Sequence, residues 1–262
     1  MRYMMSLILV VGVLSSAHAE IQTKLVEYND GDVALEGFVA WDSELTDSVP
    51  GVLVVHQWMG MTEYEQRRCR QLAELGYVAF ALDIYGKGVR PDGPQAAGQM
   101  AGIYKKDREL YRRRLKLGLE QLRQQTHVDK DQIAAIGYCF GGTGVLELAR
   151  SGADVSGVVS FHGGLDSPSP EDGKNIQAKL LICHGADDPF VPTKDIDAMK
   201  EELNKANVDW QMIYYAGAVH SFTQPMAGDD NSRGAAYNEK ADKRSWRAMQ
   251  SFFAELFGSS AS

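Results

Sequence analysis

Six short apolar runs punctuate the chain: LVVHQ (53–57), VAFALDIY (78–85), IAAIGY (133–138), VSGVVSFH (155–162), KLLICHG (179–185) and WQMIYYAG (210–217). Several are apolar on successive residues instead of alternating with polar ones. That pattern belongs to parallel strands covered on both faces. Helical patterns lie between them. Residues 62–75 form one, with Gly76 as its stop signal. Residues 95–125 form a long, charged stretch that predicts two helices or one bent helix. Residues 139–150, 193–207 and 236–257 complete the set, the last with Trp246, Met249, Phe252, Phe253 and Leu256 on one face. Two earlier segments, 23–28 and 34–41, have no helix between them and are joined by NDGD, a hairpin signal. The predicted architecture is α/β: a mostly parallel sheet with an antiparallel N-terminal hairpin and helices on both faces. No internal repeat or low-complexity linker divides it.

The first twenty residues, MRYMMSLILVVGVLSSAHAE, follow a different logic. A positive start at Arg2, an apolar run from Leu7 to Leu14 and the small-residue pattern Ala17-His18-Ala19 are the layout of a signal peptide. The apolar run is too short to span a bilayer. The expectation is a signal peptide over 1–19, a single domain over 20–262, and an exported (periplasmic or secreted) product with no stable membrane insertion after cleavage. Without Arg2 the chain has 26 Lys+Arg against 35 Asp+Glu, a formal charge of -9. An acidic chain argues against nucleic acid or anionic membrane as the main partner. Oligomeric state cannot be read from these features.

There are three cysteines, Cys69, Cys139 and Cys183, and no CxxC. An odd number leaves at least one thiol unpaired within a chain, and that thiol needs burial or a use. Cys139 has the more unusual setting. It follows a strand pattern and precedes a helix in Gly137-Tyr138-Cys139-Phe140-Gly141-Gly142. This is the Gly-x-Cys-x-Gly form of a nucleophile elbow, in which flanking side chains would clash with the adjoining strand and helix. The elbow also puts sulfur at a helix N-terminus, where free N–H groups favour a thiolate. A buried packing cysteine before a glycine-rich turn is the bland alternative.

Two further segments bear on that choice. HGADDPFVP (184–192) places Asp188, with Asp187 as its competitor, in a loop after a late strand. YYAGAVHSF (214–222) places His220 in the loop after the last strand. The order Cys139, Asp188, His220 matches the nucleophile, acid, base order of α/β-hydrolases. His56, His162 and His184 also end strands at the same sheet edge but stand outside that order, and they read as packing or pocket residues. His127 reads as a solvated loop residue. No spacing suggests a zinc site, and no cofactor is expected.

GYCFGG, GADDPFVP, AVHSF and HQWMGMTEYEQRRCRQLAELGYVAFALDIYGKG together resemble the dienelactone hydrolase family, and AYNEKADKRSWRAMQSFF is similar to that family's last helix. The resemblance covers about residues 26–256. It implies an α/β-hydrolase fold and a small-molecule ester or lactone substrate, cleaved through Cys139 as nucleophile, His220 as base and Asp188 as its orienter. It also implies an oxyanion hole made by the backbone N–H groups of Trp58 and Phe140. The chain departs from the family in two places. Gln57 stands where many members carry a glutamate that helps activate the thiol. Lys87 and Gln224 stand where two arginines typically hold a substrate carboxylate, so the bidentate fork is lost. These departures and the export signal point away from dienelactone itself. Gln57 also keeps open a reading of a different class, a ligand-binding protein on an inactive hydrolase fold. Redox sensing by Cys139 is a third.

Overall fold

The structure is a computed structural model that describes residues 20–258. The signal-peptide segment therefore lies outside the described residues. The chain opens with a hairpin, β1 (Ile21–Asp30) and β2 (Val33–Asp42), paired antiparallel along their full length. The turn between them uses Gly31 at φ 58, a left-handed conformation that glycine adopts without a side-chain clash. Then come β3 (Val49–Val55), α1 (Glu63–Glu74), β4 (Val78–Leu82), α2 (Gly93–Lys106), α3 (Arg108–Arg123) and β5 (Val128–Tyr138). The chain closes with α4 (Phe140–Arg150), β6 (Gly157–Phe161), β7 (Lys179–Gly185), α5 (Thr193–Lys205), β8 (Trp210–Tyr215) and α6 (Glu239–Phe257).

The eight strands of the described residues share one sheet, in the order β1-β2-β4-β3-β5-β6-β7-β8. The β1–β2 and β2–β4 pairs are antiparallel, and β3 to β8 run parallel. The predicted architecture is the observed one. Strands β4 and β6 are buried at every position, as their unbroken apolar runs require. Each face of the sheet has its own core. Leu72 of α1 and Phe253 of α6 pack on one face; Tyr104, Leu115, Val145 and Met199 of α2 to α5 pack on the other.

β3 and β5 begin at Val49 and Val128, four and five residues before their apolar runs; the other predicted ends lie within about three residues of those observed. The charged stretch 95–125 is two helices. Asp107 leaves helical geometry (φ -107, ψ 85) and its side chain accepts the Leu110 N–H, capping α3. The last helix begins three residues later than its apolar pattern, at Glu239, because Asn238 caps it through the Ala241 N–H. At the start of α1, Thr62 and Glu65 form a capping box. Glu65 is fully buried and also accepts the Gln57 N–H at 3.3 Å, which pins the loop after β3.

The strand order has one consequence for function. From β3 the chain first moves outward to β4, then returns to place β5 on the opposite side of β3. The chain leaves β3 and β5 in opposite directions there, and it is at the carboxyl ends of strands at such a point that sheets of this kind bind ligands. Gln57 and Trp58 lie in the loop after β3 and Cys139 directly follows β5.

Behind this edge, α4 is locked to α5 by a buried ion cluster. The Arg150 guanidinium binds Glu202 through two bonds of 2.8 and 2.7 Å and Glu147 at 3.1 Å. Arg150 is 1% exposed and Glu147 fully buried. Such a pair is costly to break from one side, because the remaining charge stays buried. Arg150→Leu should therefore lower the unfolding free energy by about 3–5 kcal/mol, measured by urea denaturation.

Candidate active site

The site begins with a steric requirement. Cys139 joins β5 directly to α4 with φ 54 and ψ -114, a conformation that costs a non-glycine residue on the order of 1–3 kcal/mol. Its neighbours must let backbones touch. A Cβ on Gly137 would lie 2.0 Å from the Gly141 carbonyl oxygen, and one on Gly141 would lie 2.2 Å from that of Val55. A Cβ on Gly142 would meet Gly163 at 2.7 Å. The glycines of the motif are thus explained by close approach of β3, β5, β6 and α4. The result is a thiol presented at the sheet edge and the first turn of α4.

Asp188 and His220 reach the same point from later strands. The loop after β7 turns through a hydrogen bond from the Asp188 N–H to the Gly185 carbonyl. It buries Asp188 and leaves Asp187 exposed. Asp188 Oδ1 accepts the Phe190 N–H at 2.8 Å, and Oδ2 lies 2.9 Å from His220 Nδ1. His220 is held by a short bridge in which its N–H donates to Gly234 and its carbonyl accepts from Ala236. Its Nε2 lies 3.1 Å from Cys139 Sγ. The three residues therefore form one continuous line, acid to imidazole to thiol.

Charge in that line is unusual. Burial pushes the Cys139 thiol up, but the His220 charge and hydrogen bond outweigh it, aided by Lys105 and the Phe140 N–H, and the thiol ends below its ordinary value. Burial alone would lower His220; the Cys139 charge and the Asp188 bond reverse this and lift it to about 10. Both shifts run in the direction that favours a thiolate–imidazolium pair over the neutral pair. Cys69 and Cys183 differ: both are fully buried, burial raises Cys69 strongly, and burial raises Cys183 to about 12. All three cysteines are free.

The remaining candidates separate. Phe140 N–H faces the sulfur, and the Phe140 ring stacks on Tyr111 with centroids 4.6 Å apart. Trp58 is 37% exposed, with its carbonyl accepting from Tyr85 Oη at 3.0 Å. Gln57 is buried, its N–H held by Glu65. Lys87 does not join this group: its ammonium pairs with Glu27 and Glu36 at the β1–β2 hairpin. Gln224 turns back to accept the Met226 N–H of its own turn. The two positions expected to hold a substrate carboxylate are thus engaged elsewhere.

The other histidines are structural in contact. His56 is fully buried, bonded to the Gln57 carbonyl at 2.6 Å and accepting the Ile84 N–H at 3.2 Å. His184 is packed edge-on to Tyr214. His162 touches the elbow itself, because its Nδ1 accepts the Cys139 N–H at 3.1 Å. Sequence reasoning missed that contact and the nearness of Lys105, which stands beside Lys106 at the end of α2 with nothing in the pattern to single it out. Among the described residues, no group of three or more His, Cys, Asp or Glu is arranged to hold a metal ion.

Comparison with known proteins agrees with this architecture. The family model described as "Dienelactone hydrolase family" matches residues 35–257. A solved structure named m3DLH superposes with a TM-score of 0.87 at 40% identity, covering 90% of this chain and 99% of its own. A dienelactone hydrolase-like promiscuous phosphotriesterase from metagenomic libraries superposes with a TM-score of 0.85, also at 40% identity, over 91% of this chain and 99% of its own. A Bradyrhizobium protein named as a probable 2-oxo-3-(5-oxofuran-2-ylidene)propanoate lactonase is 26% identical, over 68% of this chain and 75% of its own. With the match running from β2 through the elbow to the last helix, the chain belongs to the dienelactone hydrolase family of α/β-hydrolases.

Proposed function

We propose that the protein hydrolyses a small carboxylic ester or lactone through Cys139, His220 and Asp188. The observation that carries this reading is the unbroken line from Asp188 Oδ2 to His220 (2.9 Å) to Cys139 Sγ (3.1 Å). The thiolate attacks the carbonyl carbon, forming a C–S bond as the π pair moves to oxygen. The Phe140 N–H, with that of Trp58 from the facing loop, stabilises the oxyanion; one such donor is worth about 3 kcal/mol. Collapse expels the alkoxide, which takes the Nε2 proton from His220 and leaves a thioester. Neutral His220 then accepts a proton from water as that water attacks the thioester, and collapse returns the thiolate and the imidazolium. Asp188 keeps the ring oriented throughout and favours its charged form.

A thiolate suits an activated ester with a good leaving group, such as an enol lactone. The engaged positions of Lys87 and Gln224 support a substrate other than dienelactone itself. The lactonase name of one relative supports a small lactone, and the phosphotriesterase name of another supports tolerance of a tetrahedral phosphoryl centre. The pattern over residues 1–19 supports export as part of the same proposal.

Two measurements test this. The chain from Glu20 onward should turn over p-nitrophenyl acetate and a simple enol lactone; Cys139→Ala should lower kcat/KM by at least about 1,000-fold and Asp188→Asn by at least about 100-fold. A folded wild-type protein without turnover on either substrate would instead favour the ligand-binding reading that Gln57 suggests. The second is alkylation of Cys139 by iodoacetamide against pH. In the wild type the rate should persist below the ordinary thiol range near pH 8.5. Removing the imidazolium in His220→Ala leaves burial dominant, so the profile should move to higher pH.

A further inference from the structure

The proposed triad leaves one buried histidine at its centre unused. His162 follows β6, is fully buried, and holds φ at 41. A strained, wholly buried imidazole beside a nucleophile needs both nitrogens satisfied, and both are. Nδ1 lies 3.1 Å from the Cys139 backbone nitrogen, whose N–H is shared with the Phe161 carbonyl at 3.0 Å. Nε2 lies 2.8 Å from Thr223 Oγ1. Thr223 sits three residues beyond His220, on the loop that carries the base.

The proton arrangement follows from the fixed donors. A backbone amide can only donate, so Nδ1 is the acceptor and Nε2 carries the proton to Thr223. Thr223 Oγ1 in turn bonds Tyr64 Oη at 2.7 Å. Tyr64 Oη accepts two bonds of 3.2 Å from Arg68, and Arg68 pairs with Asp242 of α6 at 2.5 Å. The line thus runs from the nucleophile's own amide, through the base loop, to α1 and α6. Burial and the nearby His220 charge keep His162 neutral, well below its ordinary value, and Arg68 and His184 act in the same direction. The ring also stands edge-on to His220, with centroids 5.4 Å apart.

We propose that His162 is a positioning residue that ties the nucleophile elbow to the loop bearing the base and so sets the Cys139–His220 distance. It makes no contact with the reacting sulfur through its ring nitrogens; it acts through the Cys139 amide on one side and Thr223 on the other. This rests on the triad reading above, yet its geometry can be judged without any substrate.

The test combines turnover of p-nitrophenyl acetate with the pH profile of Cys139 alkylation, followed on the Cys139 peptide by mass spectrometry. His162→Leu fills the space but removes both bonds. We expect kcat to fall about 100-fold, the cost of misplacing a reacting group by about 1 Å, with KM little changed and the alkylation profile moved to higher pH. His162→Asn keeps an acceptor at the Nδ1 position and tolerates a positive φ, so it should recover most of both losses. Thr223→Val cuts only the second bond and should give an intermediate loss. A folded His162→Leu protein with wild-type kcat and alkylation profile would overturn the proposal, as would His162→Asn performing no better than Leu. Should His162→Leu fail to fold, an unchanged alkylation profile in Thr223→Val overturns it. Absent turnover in the wild type would count against the hydrolase reading alone, because the alkylation profiles still decide the role of His162.

Discussion

The backbone contact between β5 and the first turn of α4 governs everything else at this site. The chain must reverse from strand to helix within one residue, and that residue must keep a side chain pointing outward. Only bare glycine backbone at Gly137 and Gly141 leaves room, since a Cβ at either place would overlap a carbonyl. The strain at Cys139 is held by the surroundings: its N–H is taken by Phe161 and His162, and its carbonyl accepts from Thr143. Strain of this kind persists only where the neighbouring structure over-determines it. The sheet and the ion-paired α4 supply that constraint.

Given the elbow, the electrostatics follow from competition between burial and pairing. Burial alone holds a thiol protonated, the direction in which Cys69 and Cys183 are shifted. Cys139 is driven the other way because an imidazole, itself held by a buried carboxylate, lies against the sulfur. The same fold therefore gives three free cysteines two kinds of chemistry. Two are buried core residues whose thiols are pushed up by burial, and the third sits where charge is stabilised. This answers the question raised by an odd number of thiols without requiring a disulfide.

The site also shows what sheet topology contributes. The loops after β3, β5, β6, β7 and the segment after β8 arrive at one edge because the strands are parallel and neighbours in space. The divergence of chain direction beside β3 puts the Trp58 loop and the elbow side by side at that edge. On the far side, Tyr64 and Arg68 of α1 reach the loop that carries His220 through Thr223. The second layer of contacts thus spans segments more than 150 residues apart in sequence.

The sequence by itself determined the strands, the helices, the N-terminal hairpin and the elbow, because each rests on local rules: apolar runs, caps, a hairpin turn, glycines at fixed offsets. It also set the order Cys139, Asp188, His220 along the chain. Tertiary structure alone decided between neighbours of the same chemistry. Asp188 faces His220 while Asp187 faces solvent, a result of how one loop turns against Gly185 and Ala218. Only the fold could show that Lys87 is taken by Glu27 and Glu36, because those partners come from a hairpin some 50–60 residues away. It likewise separated His162 from His56 and His184, three histidines at strand ends that look alike in sequence. Local sterics are written in adjacent residues, whereas a side chain's partner depends on which strands become neighbours.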